Sequence, residues 1–381
     1  MKRFRFMPKL AAAIVSATMI FSGAVPAFAD ASNGNTTIND AHNTVTFNTL
    51  LGLHMTTLGT NVTKRIPSKT FHYTITPGNA DNTGTIPVYQ GVDLGTSASN
   101  ATATISAQEI GSNQSSVTAN TTIDFSNVKW PQTGIYRYNV ENTDSETAAY
   151  NGAGFKKKMQ LDVAVVNDST GKGYQIDHAA LVNTEKNKDG TTSTTKSSGF
   201  EFNYYSKHMK FTKIVAGNQG DHNKEFKFTL NISGAAGLDK LSVQTSSTSN
   251  ITGATKSGDL KVNDDGSTGN VTFYLKHNDY VIIDNLPAGY NFTLSEDNEA
   301  LKKDGYTASI PATTESLVVD QNNASASSPK GGILNSLSFN VTNTKDGTVP
   351  TGVIFAVAPF AIGAVAIAAF VILKVRKAVK Q

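Results

Sequence analysis

Phe226-Lys227-Phe228-Thr229-Leu230 alternates apolar and polar residues with a period of two. So do Tyr290-Asn291-Phe292-Thr293-Leu294, Phe71-His72-Tyr73-Thr74-Ile75 and Tyr136-Arg137-Tyr138-Asn139-Val140. Successive strand side chains point to opposite faces, so each run makes a half-buried strand. The runs also repeat. Phe226 follows Phe71 by 155 positions, and Tyr290 follows Tyr136 by 154. The turns agree as well: Asn127-Val128 leads to Pro131 and Gly134, as Asn285-Leu286 leads to Pro287 and Gly289. Two copies at one spacing predict an all-β chain of two tandem β-sandwich domains, 30–205 and 206–346. The polar stretch 183–198 between them reads as an exposed, mobile loop.

Composition supports this. The chain has 381 residues, 39% hydrophobic, 17% charged and without cysteine, which is long enough for two domains. Its Thr, Asn, Ser and Gly content argues against a helical bundle. The net charge of +3 is concentrated at the ends. Lys2, Arg3, Arg5 and Lys9 open the chain, and Lys374, Arg376, Lys377 and Lys380 close it. Without them the middle is acidic by about five charges, which argues against a nucleic-acid partner. The seven histidines are dispersed, and no metal, phosphate-loop or Gly-x-Ser-x-Gly motif is present. Trp130 beside Pro131 reads as strand-end packing, with sugar binding as the lesser alternative.

The ends are addresses. A basic start, the apolar run 10–21 and Ala27-Phe28-Ala29 describe a secretory signal peptide over 1–29. Residues 353–373 carry no charge and, at about 1.5 Å per residue, are long enough to span a bilayer core of roughly 30 Å as a transmembrane helix. The basic tail 374–381 would hold that end inside the cell. Thr348-Val349-Pro350-Thr351-Gly352 stands just before the span, so 347–352, span and tail together form a Gram-positive wall-sorting signal. The familiar form is Leu-Pro-x-Thr-Gly. Thr348 and Val349 depart from it, which points to a specialised sortase. That chemistry needs an extended peptide, and Pro350 disfavours helix at Val349. A sortase cysteine would form a thioester with Thr351, release 352–381, and pass Thr351 to an amine.

Further residues carry a family resemblance. Lys213-Ile214-Val215-Ala216-Gly217, Lys224-Glu225-Phe226-Lys227-Phe228, Asn285-Leu286-Pro287-Ala288-Gly289-Tyr290 through Glu296, and Val341-Thr342-Asn343 resemble the major (backbone) pilins of Gram-positive sortase-assembled pili. Val349-Pro350-Thr351-Gly352-Val353 with Val357-Ala358-Pro359-Phe360 is the closest stretch. The likeness covers nearly the whole chain and is looser in the N-terminal half. It implies two Ig-like domains of the streptococcal type. It also implies an internal isopeptide bond in which a first-strand Lys joins a last-strand Asn with help from a Glu. On this sequence those residues are Lys213, Asn343 and Glu296. Glu296 continues the inward phase of Tyr290, Phe292 and Leu294. Burial lowers a Lys pKa and raises a Glu pKa, so a neutral amine could attack the amide while a protonated carboxyl assists. The alternative is a buried ion pair beside a satisfied Asn.

In the N-terminal half the matching positions fall on Thr49, Asn142 and Tyr204, so no such bond is expected there. A shifted register using Lys64 or Lys69 with Asn203 is the alternative. The resemblance further implies an acceptor lysine before the last strand of the first domain. Lys196 is its candidate, with Lys186 and Lys188 behind it. Implied partners are a pilin-type sortase, identical subunits in a head-to-tail filament, minor pilins, peptidoglycan and a host surface ligand. The expected location is a secreted, wall-anchored surface pilus. No cofactor or metal is implied, and the bond forms once without turnover, so no enzyme is expected. The rival reading is an adhesin displayed singly or at a pilus tip.

Overall fold

One strand, Gly199–Ala216, organises the molecule. The computed structural model describes residues 36–39, 41–83, 86–186, 192–249, 251, 257–311 and 317–347. The expected signal peptide, the expected sorting element 348–352, the apolar span 353–373, the basic tail and Lys188 lie outside the described residues.

Phe200, Phe202, Tyr204 and Ser206 are buried along the first half of this strand, and Met209, Phe211, Lys213 and Val215 along the second. The change from even to odd falls at a register shift between Lys207 and Met209. A bulge adds one residue and resets which parity faces the core. The strand is thus the last of the N-terminal half and the first of the C-terminal half, and the boundary drawn at 205/206 falls inside it. Its first half runs parallel to Thr44–Met55, its second half parallel to Leu337–Thr344. Each half therefore sets a strand near its start beside the strand that ends it, in parallel.

The ten-stranded sheet built on this strand continues through Tyr280–Pro287 and Lys240–Thr245 to Ser257–Lys261. A seven-stranded sheet completes the N-terminal sandwich, with Gly134–Asn142 between Lys158–Asn167 and Lys69–Pro77. A five-stranded sheet around Phe226–Ser233 and Asn291–Glu296 completes the C-terminal one. The four alternating runs of the sequence are inward-facing here: Phe71, Tyr73, Tyr136 and Tyr138 lie in one core, Phe226, Phe228, Tyr290 and Phe292 in the other. Trp130 packs beside Phe125 and Tyr136 at the edge of the first core.

The halves are joined a second time. Residues 56–68 run between the two sandwiches: Lys64–Ile66 pairs with Gln108–Ile110 and Ile66 enters the N-terminal core, while other groups of the segment bond the C-terminal half. Leu58 and Gly59 N–H donate to the Asp284 carboxylate at 2.8 and 3.0 Å. Gln244 exchanges two hydrogen bonds with the Thr60 backbone. Asn285 accepts from Arg65 N–H and donates to Thr63 O. Arg65 itself, 6% exposed, pairs with Glu109 and Asp259.

Candidate functional site

Lys213 and Asn343 sit on neighbouring parallel strands. Lys213 is opposite Val341, and Asn343 is opposite Val215, so the two are diagonal neighbours two residues apart. Both are 0% exposed. Glu296 comes from the facing sheet, where it lies opposite Phe228. Alternation puts it inward with Phe292 and Leu294.

The Lys213 Nζ donates to Glu296 Oε1 at 2.9 Å, and Asn343 Nδ2 donates to the same oxygen at 2.6 Å. One carboxyl oxygen thus bridges amine and amide. The amine also stands 4.4 Å from the Phe226 ring centroid and 5.5 Å from that of Phe228. Burial in this apolar setting pulls the Lys213 pKa down to about 8, against the opposing pull of Glu296. The same burial raises the Glu296 carboxyl, partly offset by Lys213 and Asn343. Both shifts favour the uncharged pair. Glu296 Oε2 and Asn343 Oδ1 are buried without a hydrogen-bond partner. A half-turn of the Asn343 amide would set Oδ1 against a protonated carboxyl, and the two ends of an amide are interchangeable in shape. The arrangement can therefore offer a neutral nucleophile, an amide carbon and an acid in one dry pocket.

The N-terminal half has no such constellation at the matching positions. Thr49 Oγ1 bonds the Tyr73 hydroxyl at 2.8 Å and Thr121 Oγ1 at 3.1 Å, deep in the core. Asn142 lies opposite Tyr73 as Glu296 lies opposite Phe228, and it donates to His72 O and Asp144 Oδ2. Thr49 pairs with Phe200. Two residues on, where Asn343 stands in the other half, is Phe202. The match to Tyr204 is corrected by this pairing register, which spacing alone does not reveal.

The shifted set is not assembled either. Lys69 Nζ is 3.9 Å from Asp144 Oδ1, with a side chain 26% exposed. Burial would raise Asp144, but hydrogen bonds from His72 and Asn142 with the charge of Lys69 outweigh it and hold the carboxyl below its usual range. That is an ordinary ion pair. Asn203 turns elsewhere and meets His54 Nε2 at 3.2 Å.

Within the 183–198 stretch, 183–186 and 192–196 are strand and not loop. Tyr174–Lys186 and Thr192–Lys196 form an antiparallel hairpin, with Val182 opposite Lys196. The second strand, Thr192–Lys196, lies at the sheet edge without a buried apolar face, and its threonines favour extended backbone. Lys196 is the last residue of that edge strand and is half-buried. Desolvation pushes its amine pKa down. Ser197 and Gly199 then bind each other, and the chain enters Gly199–Ala216.

The far end of the same strand holds a feature that spacing did not reveal. The turn 216–220 wraps the chain just before the sorting element. Lys345 N–H donates to Ala216 O, and Gln219 N–H to Lys345 O, both at 3.0 Å. Asn218 donates to Gly347 O at 2.9 Å and accepts from Gly347 N–H at 2.8 Å.

These features define a class: a tandem β-sandwich protein with a strand-to-strand Lys–Glu–Asn cluster in its C-terminal half. The comparisons with known proteins bear on the fold in that description. The family described as a domain of unknown function (DUF7601) matches residues 207–336. A protein named Pilin of Streptococcus pyogenes serotype M1 is 27% identical over 346 residues, 88% of this chain and 90% of that protein. A crystal structure of the major pilin from S. pyogenes superimposes with a TM-score of 0.54 at 20% identity, covering 80% of this chain and 99% of that one. The major pilin T3.2 of the same species gives 0.52 at 20% identity, covering 82% and 100%. The chain is thus similar in sequence to a streptococcal pilin over most of both lengths, and it has the fold of the streptococcal major pilins.

Proposed function

We propose that this protein is the shaft subunit of a covalent, wall-anchored pilus, a structural protein and not a turnover enzyme. The observation that carries this is the placement of the two junctions. The candidate acceptor Lys196 lies just before Gly199–Ala216, and the donor segment leaves just after its end, beyond Gly347. Eighteen residues of strand at about 3.3 Å each separate them by roughly 60 Å. Donor and acceptor at opposite ends give a head-to-tail contact between copies, the kind that builds an open filament when the rotation between copies does not close a ring.

A pilin-type sortase forms a thioester with Thr351, releasing 352–381, and the Lys196 amine of the next copy takes the acyl group. The last subunit passes Thr351 to a peptidoglycan amine. Minor pilins and a host ligand complete the set of partners. Inside each subunit Lys213 attacks the Asn343 amide carbon. Glu296 delivers a proton to the departing nitrogen and takes one from the new amide nitrogen. An isopeptide bond forms, one ammonia leaves, and the carboxyl is restored. The cross-strand bridge at Glu296 Oε1 supports this reading.

The test is an immunoblot of wall extract boiled in detergent. A ladder of high-mass species is expected, absent in Thr351→Ala and in Lys196→Arg, with Lys196→Arg still anchored as monomer. One sharp band in the unaltered strain would replace the shaft by a singly displayed adhesin. A ladder that survives Lys196→Arg but fails in Lys186→Arg or Lys188→Arg would move the acceptor and leave the filament.

A further inference from the structure

Asn218 lies far from the Lys–Glu–Asn cluster's chemistry, yet it binds the chain like a neighbouring strand. Its amide carbonyl and amide nitrogen both engage Gly347, copying the paired bonds of a β-ladder. The surrounding turn is built for close approach. Gly217 has φ of +91°, and a Cβ there would stand 2.3 Å from Lys345 O. Asn218 N–H also reaches Asp346 Oδ1 at 3.3 Å. With the two backbone bonds at Lys345, the turn 216–220 holds 345–347 at every residue.

From the proposal that Thr351 is the acyl donor, we infer that Asn218 is a positioning residue for its transfer. It fixes the point at which the donor peptide leaves the folded subunit. With the clasp closed, Thr351 is four residues from its anchor, a reach of at most about 14 Å. With the Asn218 side chain removed, the next anchor is Asp346, still held by the Asn218 N–H, and Thr351 is five residues from it, a reach of at most about 18 Å. The volume within that reach grows as its cube, about twofold from about 14 to about 18 Å, so the donor is held to its place about twofold less closely, before any loss of direction. The effect belongs to the donor subunit alone.

The experiment separates the two roles. Purified full-length chains are mixed with the pilin sortase and a tagged Thr351→Ala chain, which can accept but not donate. An Asn218→Ala donor should join the tagged acceptor at least about twofold more slowly than the unaltered donor. Asn218→Ala combined with Thr351→Ala, used as acceptor for an unaltered donor, should react at the unaltered rate. Asn218→Asp keeps the acceptor for Gly347 N–H and loses the donor to Gly347 O, so it should fall between. Equal donor rates, or equal losses in both roles, overturn the inference. A tagged Thr351→Ala chain that donates would instead overturn the assignment of Thr351 and with it the filament chemistry. Should Asn218→Ala not fold, the comparison between Asn218→Asp as donor and as acceptor decides the matter in the same way.

Discussion

Replacing Glu296 by Gln keeps the shape of the side chain but removes the proton carrier, and it should leave Lys213 and Asn343 unjoined. The intact mass of the unaltered folded chain should fall one ammonia, about 17 Da, below its sequence mass, whereas that of Glu296→Gln should equal its own. Glu296→Ala should do the same. The energetic consequence follows from topology. A bond from Lys213 to Asn343 closes a loop of about 130 residues, so the loop-closure relation used for crosslinks gives about 5 kcal/mol. For a domain of about 140 residues the unfolding entropy is about 0.3 kcal/mol per degree, so the C-terminal transition should drop by about 15–20 °C. Glu296→Gln would exceed this, because it also leaves a buried amine without its acid. The cleaner comparison is Lys213→Met with Glu296→Met, which removes the bond and both titratable groups together. Mass spectrometry and scanning calorimetry on the soluble body check both parts. A full sequence mass in the unaltered chain, or an ammonia still missing in Glu296→Gln, would refute the reasoning. A loss of two ammonias would place a second bond in the N-terminal half.

Other outcomes follow from the same geometry. With Asn343→Ala the bond cannot form and Lys213 keeps a pKa pulled down to about 8, below its unfolded value. The unfolded chain then binds more protons between about pH 8 and 10.5, so the Lys213 contribution should be lost as pH falls through 8 and regained above it, as denaturant titrations at pH 7.5 and 10 would show. An unchanged or falling stability over that range contradicts the shift. Limited trypsin digestion should cut the N-terminal half well before the C-terminal half, and the reverse order would count against a clasp confined to 213–343. Pulled between Lys196 and Thr351, the unaltered subunit should resist unravelling of 213–343. Glu296→Gln should release about 130 residues, or roughly 45 nm at about 3.4 Å each.

Much of this was written in the sequence. The alternation at Phe226, Phe228 and Leu230 carried both sandwiches, because a half-buried strand must show a period of two. The same alternation carried Glu296 inward from Tyr290. Other features are invisible to periodicity. The hairpin strand Thr192–Lys196 presents no clear apolar face, so its polar composition reads as a loop. The bulge at 207–209 reverses the buried parity within one strand, so a boundary that looks like a change of domain is a change of phase. Pairing register places Phe202 where counting placed Tyr204. The hold of Asp284, Asn285 and Gln244 on 56–68 gave no signal, since their partners there are backbone groups far away in the chain.

On the proposed filament, the absence of a second Lys–Glu–Asn cluster among the described residues acquires a mechanical reason. In a filament joined from Thr351 to Lys196, tension enters the subunit through Leu337–Thr344. An isopeptide bond at Asn343 hands it to Lys213 almost at once, and Gly199–Ala216 carries it to the hairpin end at Lys196. Residues 213–343 fold inside that loop and bear none of the load as chain. Residues 36–195 hang outside it, because the acceptor follows them. The N-terminal half contributes its pairing of Thr44–Met55 with Gly199–Ala216, a parallel contact loaded along its length, but its own chain is not in the line of force. A covalent clasp there would guard a segment that tension does not reach. At the matching position Thr49, Tyr73 and Thr121 satisfy one another with hydroxyl hydrogen bonds. Such a cluster avoids the several kcal/mol that an unpaired buried charge would cost. In the proposed filament, strength would thus be placed where tension passes, in the half that lies between the donor peptide and the shared strand.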